Sequence, residues 1–376
     1  MQVSQYIFQP DQGWKRSRGE AIDADLLLAF GSGKDCNGKI LTDWWHEHFP
    51  NAELMGCSTA GEICDASVTS NTIVVTAIKF DTTTFKLCSV EFNEGDNSYE
   101  VGRKLATKLS HENPKLCFVL SDGLHVNGTQ LVDGLNSDLP ESTVITGGLA
   151  GDGKRFQETL VCANDQYSEY KVAALGLYGD NIDIQYGSLG GWDSFGPDRL
   201  ITKSNKNQLL ELDGRSALEL YKEYLGDYAK DLPSSGLRFP LQVTTTSGKK
   251  FVRTLLAIDN ESGAMTFAGD LPEGAYARLM RANYDRLVDG AQGAAELATA
   301  ELTDTPDLAI LISCVGRRIV LDQRIEEELE AAKEVLGAGT TIGGFYSYGE
   351  ICPSADEVGC TLHNQTMTIT TLRELS

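Results

Sequence analysis

One pattern occurs three times along the chain and restricts its fold more than any other feature. In each copy a short apolar run ends in a polar or glycine-rich turn, a segment of helical period follows, and a second apolar run ends in another glycine-rich turn. The first and third copies are also similar in sequence, with GCSTAGEIC at 56–64 and GFYSYGEIC at 344–352. We interpret the pattern as repetition of one strand–helix–strand unit with an added strand.

The spacing of apolar residues predicts the helices. Apolar side chains that recur every three or four residues form one face of an amphipathic helix. The segments with this spacing are 41–49, 130–136, 217–225, 280–298 and 319–336. Since strand-like apolar runs alternate with helices in both halves, the sequence predicts a mixed α/β fold of two domains, built from repeated strand–helix–strand units with extended sheets.

The pattern of elements pauses in the middle of the chain. The stretch GDYAKDLPSSG at 226–236 is typical of a linker or an exposed loop. We therefore place a domain boundary near residue 220. This gives an N-terminal extension of residues 1–20, a first domain at 21–219 and a second domain at 220–376.

Charge and cysteine usage argue against several classes of protein. Acidic residues outnumber basic ones 54 to 32, for a net charge of −22, whereas nucleic-acid binders and peripheral membrane proteins need a basic surface. The N-terminus has no apolar core of a signal peptide, and no uninterrupted apolar run is long enough for a membrane span. Nine cysteines, none in a C-x-x-C pair and most in apolar runs, indicate reduced thiols and a cytoplasmic location.

A ligand site is expected in the turns that follow the predicted strands. If each unit contributes two adjacent strands, these turns gather at one end of a sheet, where loops and helix N-termini present unpaired N–H groups. The candidate turns are GSGKD, GCSTAGE, SDGLHVNG, GGLAGDG, CVGRR and GGFYSYGE. The ligand-binding residues predicted within them are Cys57, Ser58, Thr59, Glu62, Asp122, Asn127, Gly148, Arg317, Tyr346, Tyr348 and Glu350.

Charged and aromatic residues of these turns suggest specific roles. Arg317 directly follows an apolar strand, where a guanidinium can bind a carboxylate or phosphate through two parallel hydrogen bonds, or form an interdomain salt bridge. Glu62 and Glu350 occupy matching places in two related turns, where each can receive an amine or cap a backbone turn. Tyr346 and Tyr348 alternate, so we expect one to line a pocket and the other to pack inward.

Two residues are candidates for different chemistry. Cys57 lies between a glycine and a serine, as a nucleophile on a sharp turn would, but nucleophilic catalysis also requires a base, and no hydrolase signature surrounds it. His125 lies in a turn, where its imidazole could bind a ligand or a haem iron, or simply form a hydrogen bond. The sequence has no zinc spacing, P-loop or dinucleotide motif in a βαβ setting, and we predict no catalytic residue.

Several of these motifs resemble one known family. The motifs that resemble the N-terminal FIST domain are MGCSTAGEI (55–63), VLSDG (119–123), GGLAGDG (147–153) and SALELYKEYLG (216–226). Those similar to the companion C-terminal FIST domain are FAGDLPEGA (267–275), ISCVGRR (312–318), GGFYSYGEI (343–351) and LHNQTMT (362–368). They occur in the expected order over nearly the whole chain beyond the first twenty residues.

The resemblance implies a bacterial sensory protein for small ligands, not an enzyme. A chain of this size with both domains is similar to the NosP proteins, which bind haem, sense nitric oxide and act with histidine kinases of two-component systems or with cyclic-di-GMP enzymes. On this hypothesis haem b is the cofactor, with His125, chosen for its place in a candidate turn, as the iron ligand. The alternative ligand is an amino acid or another carboxylate metabolite held by Arg317 and Glu350. A further alternative is a Cys57-dependent hydrolase.

Overall fold

The computed structural model describes residues 1–33, 39–164, 167–354 and 359–375. Within these ranges the chain forms three six-stranded sheets of similar topology, one for each copy of the sequence pattern, and a fourth sheet of eight strands. The mixed α/β fold predicted from the sequence is confirmed. No helix in the described ranges is long and apolar enough to cross a membrane.

The first unit spans residues 2–79. Its elements are β1 (Gln2–Gln9), β2 (Gly13–Arg18), β3 (Leu26–Gly31), α1 (Lys39–His48), β4 (Glu53–Ser58), β5 (Glu62–Cys64), β6 (Ser67–Thr69) and β7 (Ile73–Lys79). Strands β3 and β4 are parallel, and β7 returns antiparallel to β3. Because β1 and β2 continue the sheet beyond β7, most of the predicted N-terminal extension belongs to this sheet.

The second unit repeats this topology. Its elements are β8 (Thr84–Glu91), α2 (Ser98–Leu109), β9 (Leu116–Ser121), α3 (Gly128–Asp138), β10 (Val144–Leu149), β11 (Val161–Ala163) and β12 (Lys171–Tyr178). Strands β9 and β10 are parallel, β12 is antiparallel to β9, and β8 lies at the edge beyond β12. An asparagine begins each helix: the side chain of Asn97 accepts the N–H of Tyr99, and that of Asn127 accepts the N–H of Gln130.

The third unit starts with β13 (Ile182–Leu189), and the chain then leaves it to form an insertion domain at residues 193–281. The insertion domain contains β14 (Asp193–Asn205), β15 (Gln208–Leu212), β16 (Arg215–Ser216), α4 (Ala217–Leu225), β17 (Leu241–Thr244), β18 (Lys250–Arg253), β19 (Leu255–Ile258), β20 (Met265–Phe267) and β21 (Tyr276–Arg281). Its buried side chains form a hydrophobic cluster of their own, which includes Ile201, Tyr221 and Phe267.

After the insertion domain the chain completes the third unit. The remaining elements are α5 (Tyr284–Leu297), β22 (Leu308–Cys314), α6 (Val315–Leu321), α7 (Ile325–Leu336), β23 (Thr341–Ser347), β24 (Gly349–Pro353), β25 (Cys360–His363) and β26 (Met367–Glu374). Strands β22 and β23 are parallel, β26 is antiparallel to β22, and β13 pairs with β26 at the edge. The topology of the first two units is thus found a third time.

Each unit gives one short strand to the sheet of another unit. Strand β5 of the first unit pairs with β23 of the third, β11 of the second with β4 of the first, and β24 of the third with β10 of the second, all antiparallel. The exchange links the three units in a ring. By these pairings Glu62, Val161 and Glu350 occupy equivalent positions in the exchanged strands.

The glycine-rich turns of the three units meet close to the exchanged strands. The same backbone hydrogen bond joins each turn to the next around the ring. The three bonds run from the N–H groups of Ala60, Gly151 and Tyr348 to the carbonyl oxygens of Tyr346, Ser58 and Leu149, at 2.8, 3.0 and 3.1 Å. Turns predicted to gather at the end of one sheet therefore gather where three sheets meet.

A shared hydrophobic core holds the three sheets together. One cluster contains buried side chains from β3, β9 and β22 as well as from their neighbours. Across it, the ring of Phe30 in the first unit stacks on that of Phe345 in the third, with centroids 4.8 Å apart. Burial of such aromatic side chains removes a large apolar area from water.

Two predicted helices have different bounds in the structure. Met280 lies in β21, and the helix predicted from that residue begins only at Tyr284, after the Asn283 cap. The single helix predicted at 319–336 is instead two helices, α6 and α7, because Asp322 has a left-handed φ of 49°. The spacing of apolar residues does not show either boundary, because apolar residues continue at helical spacing across both.

The middle of the chain is also more structured than the linker predicted there. Residues Gly226–Asp231 and Ser234–Arg238 form short 3₁₀ helices within the insertion domain. Residue 220 lies inside α4. Strands from either side of residue 220 share one sheet, since β13 pairs with β26 along its whole length.

Gly344 provides a test of the close contact between parallel strands. Its φ is +155°, and a Cβ there would overlap the carbonyl oxygen of Leu311. We expect Gly344→Ala to lower the free energy of unfolding by about 3 kcal/mol or more, because backbone strain costs about 1–2 kcal/mol and overpacking about 1–3 kcal/mol. Gly274→Ala, at φ +83° with no atom within 4 Å, should carry only the backbone cost. If chemical denaturation gives the same loss of unfolding free energy for both variants, this account is contradicted.

Candidate functional site

A cavity of about 460 Å³ opens beside the meeting point of the three turns. All three units contribute to its wall: Thr59 and Glu62 come from the first, Asp152 and Arg155 from the second, and Arg318 from the third. Thr59 and Glu62 are among the predicted site residues. The volume lies within the range of about 300–1,000 Å³ that is usual for small-molecule pockets. We call this space the polar cavity.

Glu62 is almost completely buried at the wall of the polar cavity. Its Oε1 accepts the hydroxyl of Thr59 at 2.6 Å, and its Oε2 accepts the hydroxyl and the N–H of Thr72 at 2.7 and 3.3 Å. Burial raises the pKa of Glu62 to about 7, although these hydrogen bonds and the Arg318 charge act in the opposite direction. Near neutral pH this carboxyl group can therefore change its charge.

Glu350 repeats the arrangement of Glu62 in the third unit. Its Oε1 accepts the hydroxyl of Ser347 at 2.7 Å, and its Oε2 accepts the hydroxyl and the N–H of Thr366 at 3.0 and 3.2 Å. Burial raises its pKa to about 7 as well. Both glutamates thus bind a backbone N–H, as one of the two predicted roles requires. Glu350 is fully buried, whereas Glu62 also lines a cavity.

Arg317 is fully buried, and its guanidinium donates hydrogen bonds to three other residues. Its Nε and Nη2 donate to one carboxylate oxygen of Glu328 at 3.0 and 2.9 Å. Further N–H groups donate to the carbonyl oxygens of Gly190 and Leu287. The hydroxyl of Tyr346 donates to the same glutamate at 2.9 Å. Arg317 and Tyr346 therefore belong to an interior polar network rather than to the cavity wall.

Arg318, which the sequence reasoning did not single out, faces the polar cavity instead. Its Nη1 donates to the Ala60 carbonyl and its Nη2 to the hydroxyl of Ser70, the latter at 2.6 Å. The guanidinium lies 5.6 Å from the ring centre of Tyr346. All these partners are neutral. Among the residues that the structure describes, no carboxylate forms a salt bridge with Arg318.

Asp152, the aspartate of the predicted turn GGLAGDG, supplies a second acid to the polar cavity. It accepts the hydroxyl of Tyr348 and the N–H groups of Phe156 and Gln157, the latter two at 2.8 and 3.0 Å. Burial opposes its ionisation, but the Tyr348 hydroxyl and these backbone bonds outweigh burial and lower the pKa of Asp152. The ring of Tyr348 stacks on Phe156, with centroids 4.4 Å apart.

A second cavity, of about 310 Å³, lies between the units and the insertion domain. Three predicted site residues line this cleft cavity: His125, Asn127 and Tyr348. The Nδ1 of His125 lies 3.0 Å from Oδ2 of the buried Asp122. Asn127 caps α3 and donates from Nδ2 to Asp270 of the insertion domain at 2.9 Å. Of the two alternating tyrosines, Tyr348 therefore lines a pocket.

The other predicted site residues serve the backbone of the sheets. Cys57 and Ser58 are buried in β4, and the Ser58 hydroxyl accepts the N–H of Leu160 at 2.8 Å. Gly148 is buried in β10, opposite Glu350 of the exchanged strand β24. In the turn GSGKD, residues 34 and 35 lie outside the described residues. Over the described ranges, no group of three or more His, Cys, Asp or Glu side chains is arranged to hold a metal ion.

Comparison with known families identifies the chain. Residues 25–215 match the FIST N domain, and residues 217–353 match the FIST C domain. The chain belongs to the FIST family. FIST domains are sensor domains for small ligands, which supports a sensory role for the matched residues.

Relatives of this FIST protein are found in bacteria and archaea. An uncharacterized protein of Mycobacterium tuberculosis is 26% identical over 251 residues, which cover 64% of this chain and 64% of that protein. An uncharacterized protein of Methanocaldococcus jannaschii is 25% identical over 317 residues, which cover 77% of this chain and 59% of that protein. The matches thus span less than two thirds of each relative's length.

One solved structure superposes on most of the chain at low similarity. It is a cyanuric acid hydrolase from A. caulinodans, with 8% identity and a TM-score of 0.34, over 94% of this chain and 91% of that one. A TM-score this low supports no conclusion about fold or activity.

The raised pKa of Glu350 predicts how stability depends on pH. Its pKa is about 7 in the folded protein, against an ordinary value of 4.5, so stability that is present below pH 4.5 is lost as the pH rises through 7. Glu350→Gln imitates the protonated form and should remove this loss. Relative to the unaltered protein, the variant should therefore gain on the order of 1–3 kcal/mol between pH 5 and pH 8.

Chemical denaturation at a series of pH values measures this effect. Taking the difference between variant and unaltered protein cancels other titrating groups, such as the buried His363. Glu330→Gln, on the exposed side of α7, is the matched control and should leave the pH profile unchanged. Parallel profiles for Glu350→Gln and the unaltered protein would contradict the assigned burial effect.

Proposed function

We propose that this FIST protein senses a small carboxylate-bearing metabolite, such as an amino acid, which binds in the polar cavity. The observation that carries the proposal is the Arg318 guanidinium, which lines the cavity and donates hydrogen bonds to neutral groups. Its charge acts on the nearby Glu62, but no carboxylate of the described residues accepts a hydrogen bond from it. A ligand carboxylate would supply that strong, charge-assisted acceptor. Arg318 thus takes the role that the sequence assigned to Arg317.

The acids of the polar cavity complement this guanidinium. Asp152 is held ionised by its hydrogen bonds, and Glu62 can ionise near neutral pH. In this proposal Glu62, which lines the cavity, receives the ammonium group while Arg318 binds the carboxylate. The carboxylate of Asp152 is buried and already forms a salt bridge of 3.5 Å with Arg155, the second arginine of the cavity wall. Glu62 thereby replaces its equivalent, Glu350, in the predicted pair. The arrangement favours a zwitterionic ligand over one with a carboxylate alone.

Binding without turnover is part of this proposal. Cys57, the predicted alternative nucleophile, is buried in β4, and it is not among the described residues that line the polar or the cleft cavity. A thiol in that position cannot reach a ligand in either space. We propose that the occupied protein signals through a partner, a histidine kinase or a cyclic-di-GMP enzyme, as the family resemblance implies.

A thermal-shift screen of the twenty amino acids and of small dicarboxylates, followed by calorimetry, tests the proposal. Arg318→Ala should weaken binding of the identified ligand roughly ten- to hundredfold, because a hydrogen bond to a charged group contributes about 1.5–3 kcal/mol. Arg215→Ala, at an exposed arginine of the insertion domain, is the control. Unchanged affinity in folded Arg318→Ala would exclude Arg318 as the carboxylate ligand.

A haem-based sensor of nitric oxide is the second candidate, because the surroundings of His125 suit an axial ligand. A carboxylate that accepts Nδ1–H, as Asp122 can at 3.0 Å, leaves Nε2 available to a metal. Haem itself fits less well. The cleft cavity, at about 310 Å³, is at the lower end of the usual range for small ligands, and no Lys or Arg of the described chain lines it to bind the propionates.

Absorption spectra after addition of haemin decide on the second candidate. If His125 binds haem b, the protein should give a sharp stoichiometric Soret band that shifts with nitric oxide after reduction. His125→Ala should abolish that band, and His48→Ala, a histidine that contacts the Trp44 carbonyl in α1, should not. A spectrum identical to that of free haemin would exclude the haem hypothesis.

A further inference from the structure

A third cavity, lined in part by aliphatic side chains, also borders Arg318. Its volume is about 290 Å³, and it shares Ala60, Gly153 and Arg318 with the polar cavity. The two spaces therefore adjoin at Arg318 and its neighbours. A small ligand whose carboxylate binds this guanidinium lies next to both.

Four branched aliphatic side chains form part of the wall of this apolar chamber. They are Val68 of β6, Val315 and Ile319 of α6, and Ile325 at the start of α7. Val315 is buried, and the other three are half-buried and contact the main hydrophobic cluster. Their remaining apolar surfaces face the chamber from three different elements. Such convergence brings aliphatic surface from three elements to one place beside Arg318, where an apolar group of a ligand can pack.

Charged groups lie at the rim of the apolar chamber. Lys154 and Asp322 belong to its lining, and both are exposed to solvent. Their charges are hydrated where they are, so they do not make the inner wall polar. The four aliphatic side chains thus form one part of the wall, next to Arg318, and the adjoining polar cavity adds Glu62, Asp152 and Arg155.

We propose that the ligand is an aliphatic amino acid whose side chain occupies the apolar chamber. Its carboxylate binds Arg318, its ammonium group lies in the polar cavity beside Glu62, and its side chain contacts Ile319 and the neighbouring aliphatic groups. This inference rests on the proposed function, which requires only a carboxylate, and it adds the side chain that the site selects.

The wall of the chamber defines the expected selectivity. Each additional methyl or methylene group of the ligand should increase affinity about three- to fourfold, because it moves from water to an apolar surface. A hydroxyl group that packs against Val315, Ile319 and Ile325 finds no hydrogen-bond partner in these side chains. Valine and threonine have nearly the same shape, so their comparison isolates this effect.

Calorimetry of the intact chain with alanine, threonine, valine and leucine, each alone, tests the inference. We expect leucine and valine to bind at least tenfold more tightly than alanine and threonine. Ile319→Thr should weaken leucine binding at least fivefold and leave alanine binding unchanged, since alanine does not reach the chamber. Ile40→Thr, at an exposed position of α1, is the control for the same substitution elsewhere in a helix.

The outcomes separate this inference from the proposed function. Equal affinities for alanine, threonine and valine, or binding of dicarboxylates only, would overturn the inference and leave the carboxylate sensor in place. Absence of binding to every amino acid and dicarboxylate would overturn both. If Ile319→Thr does not fold, the comparison of valine with threonine on the unaltered chain decides alone.

Discussion

The need to cover the open edge of each parallel strand pair determines much of this structure. An unpaired edge leaves a row of N–H and C=O groups that must find partners. Here β4, β10 and β23 are covered by strands from other units, namely β11, β24 and β5. Because all three exchanges are made in the same sense, the units form a ring and their glycine-rich turns meet. The polar cavity exists because of that meeting.

A repeated scaffold carries a site that is not repeated. Glu62 and Glu350 each accept hydrogen bonds from two hydroxyl groups and one backbone N–H. The equivalent position in the second unit is occupied by Val161. Within the described residues Glu62 lines the polar cavity, where its neighbour is Ala60, whereas the residue equivalent to Ala60 in the third unit is the large Tyr348. Small differences in side-chain size thus decide which of the equivalent turns can receive a ligand.

The two cavities share one wall. Asp152 faces the polar cavity, and the hydroxyl of Tyr348 donates to it. The rings of Tyr348 and Phe156 face the cleft cavity, beside the insertion domain. A ligand that changes the position or charge of Asp152 acts directly on groups that contact the space between the domains. Packed side chains of this kind are one route by which a binding site can act on a second structural element.

The sequence by itself determined the local features: three strand–helix–strand units, most helices, the turns that gather, and Glu62 in one of them. These features depend on the spacing of apolar residues and on the positions of glycines. Both are properties of residues that are close together in the sequence. Tertiary structure alone decided the strand exchange and which arginine faces the polar cavity. Arg317 and Arg318 are adjacent in a helix and point about 100° apart. The choice depends on Glu328, eleven residues further along the chain, whose buried carboxylate binds Arg317 and leaves Arg318 to the cavity.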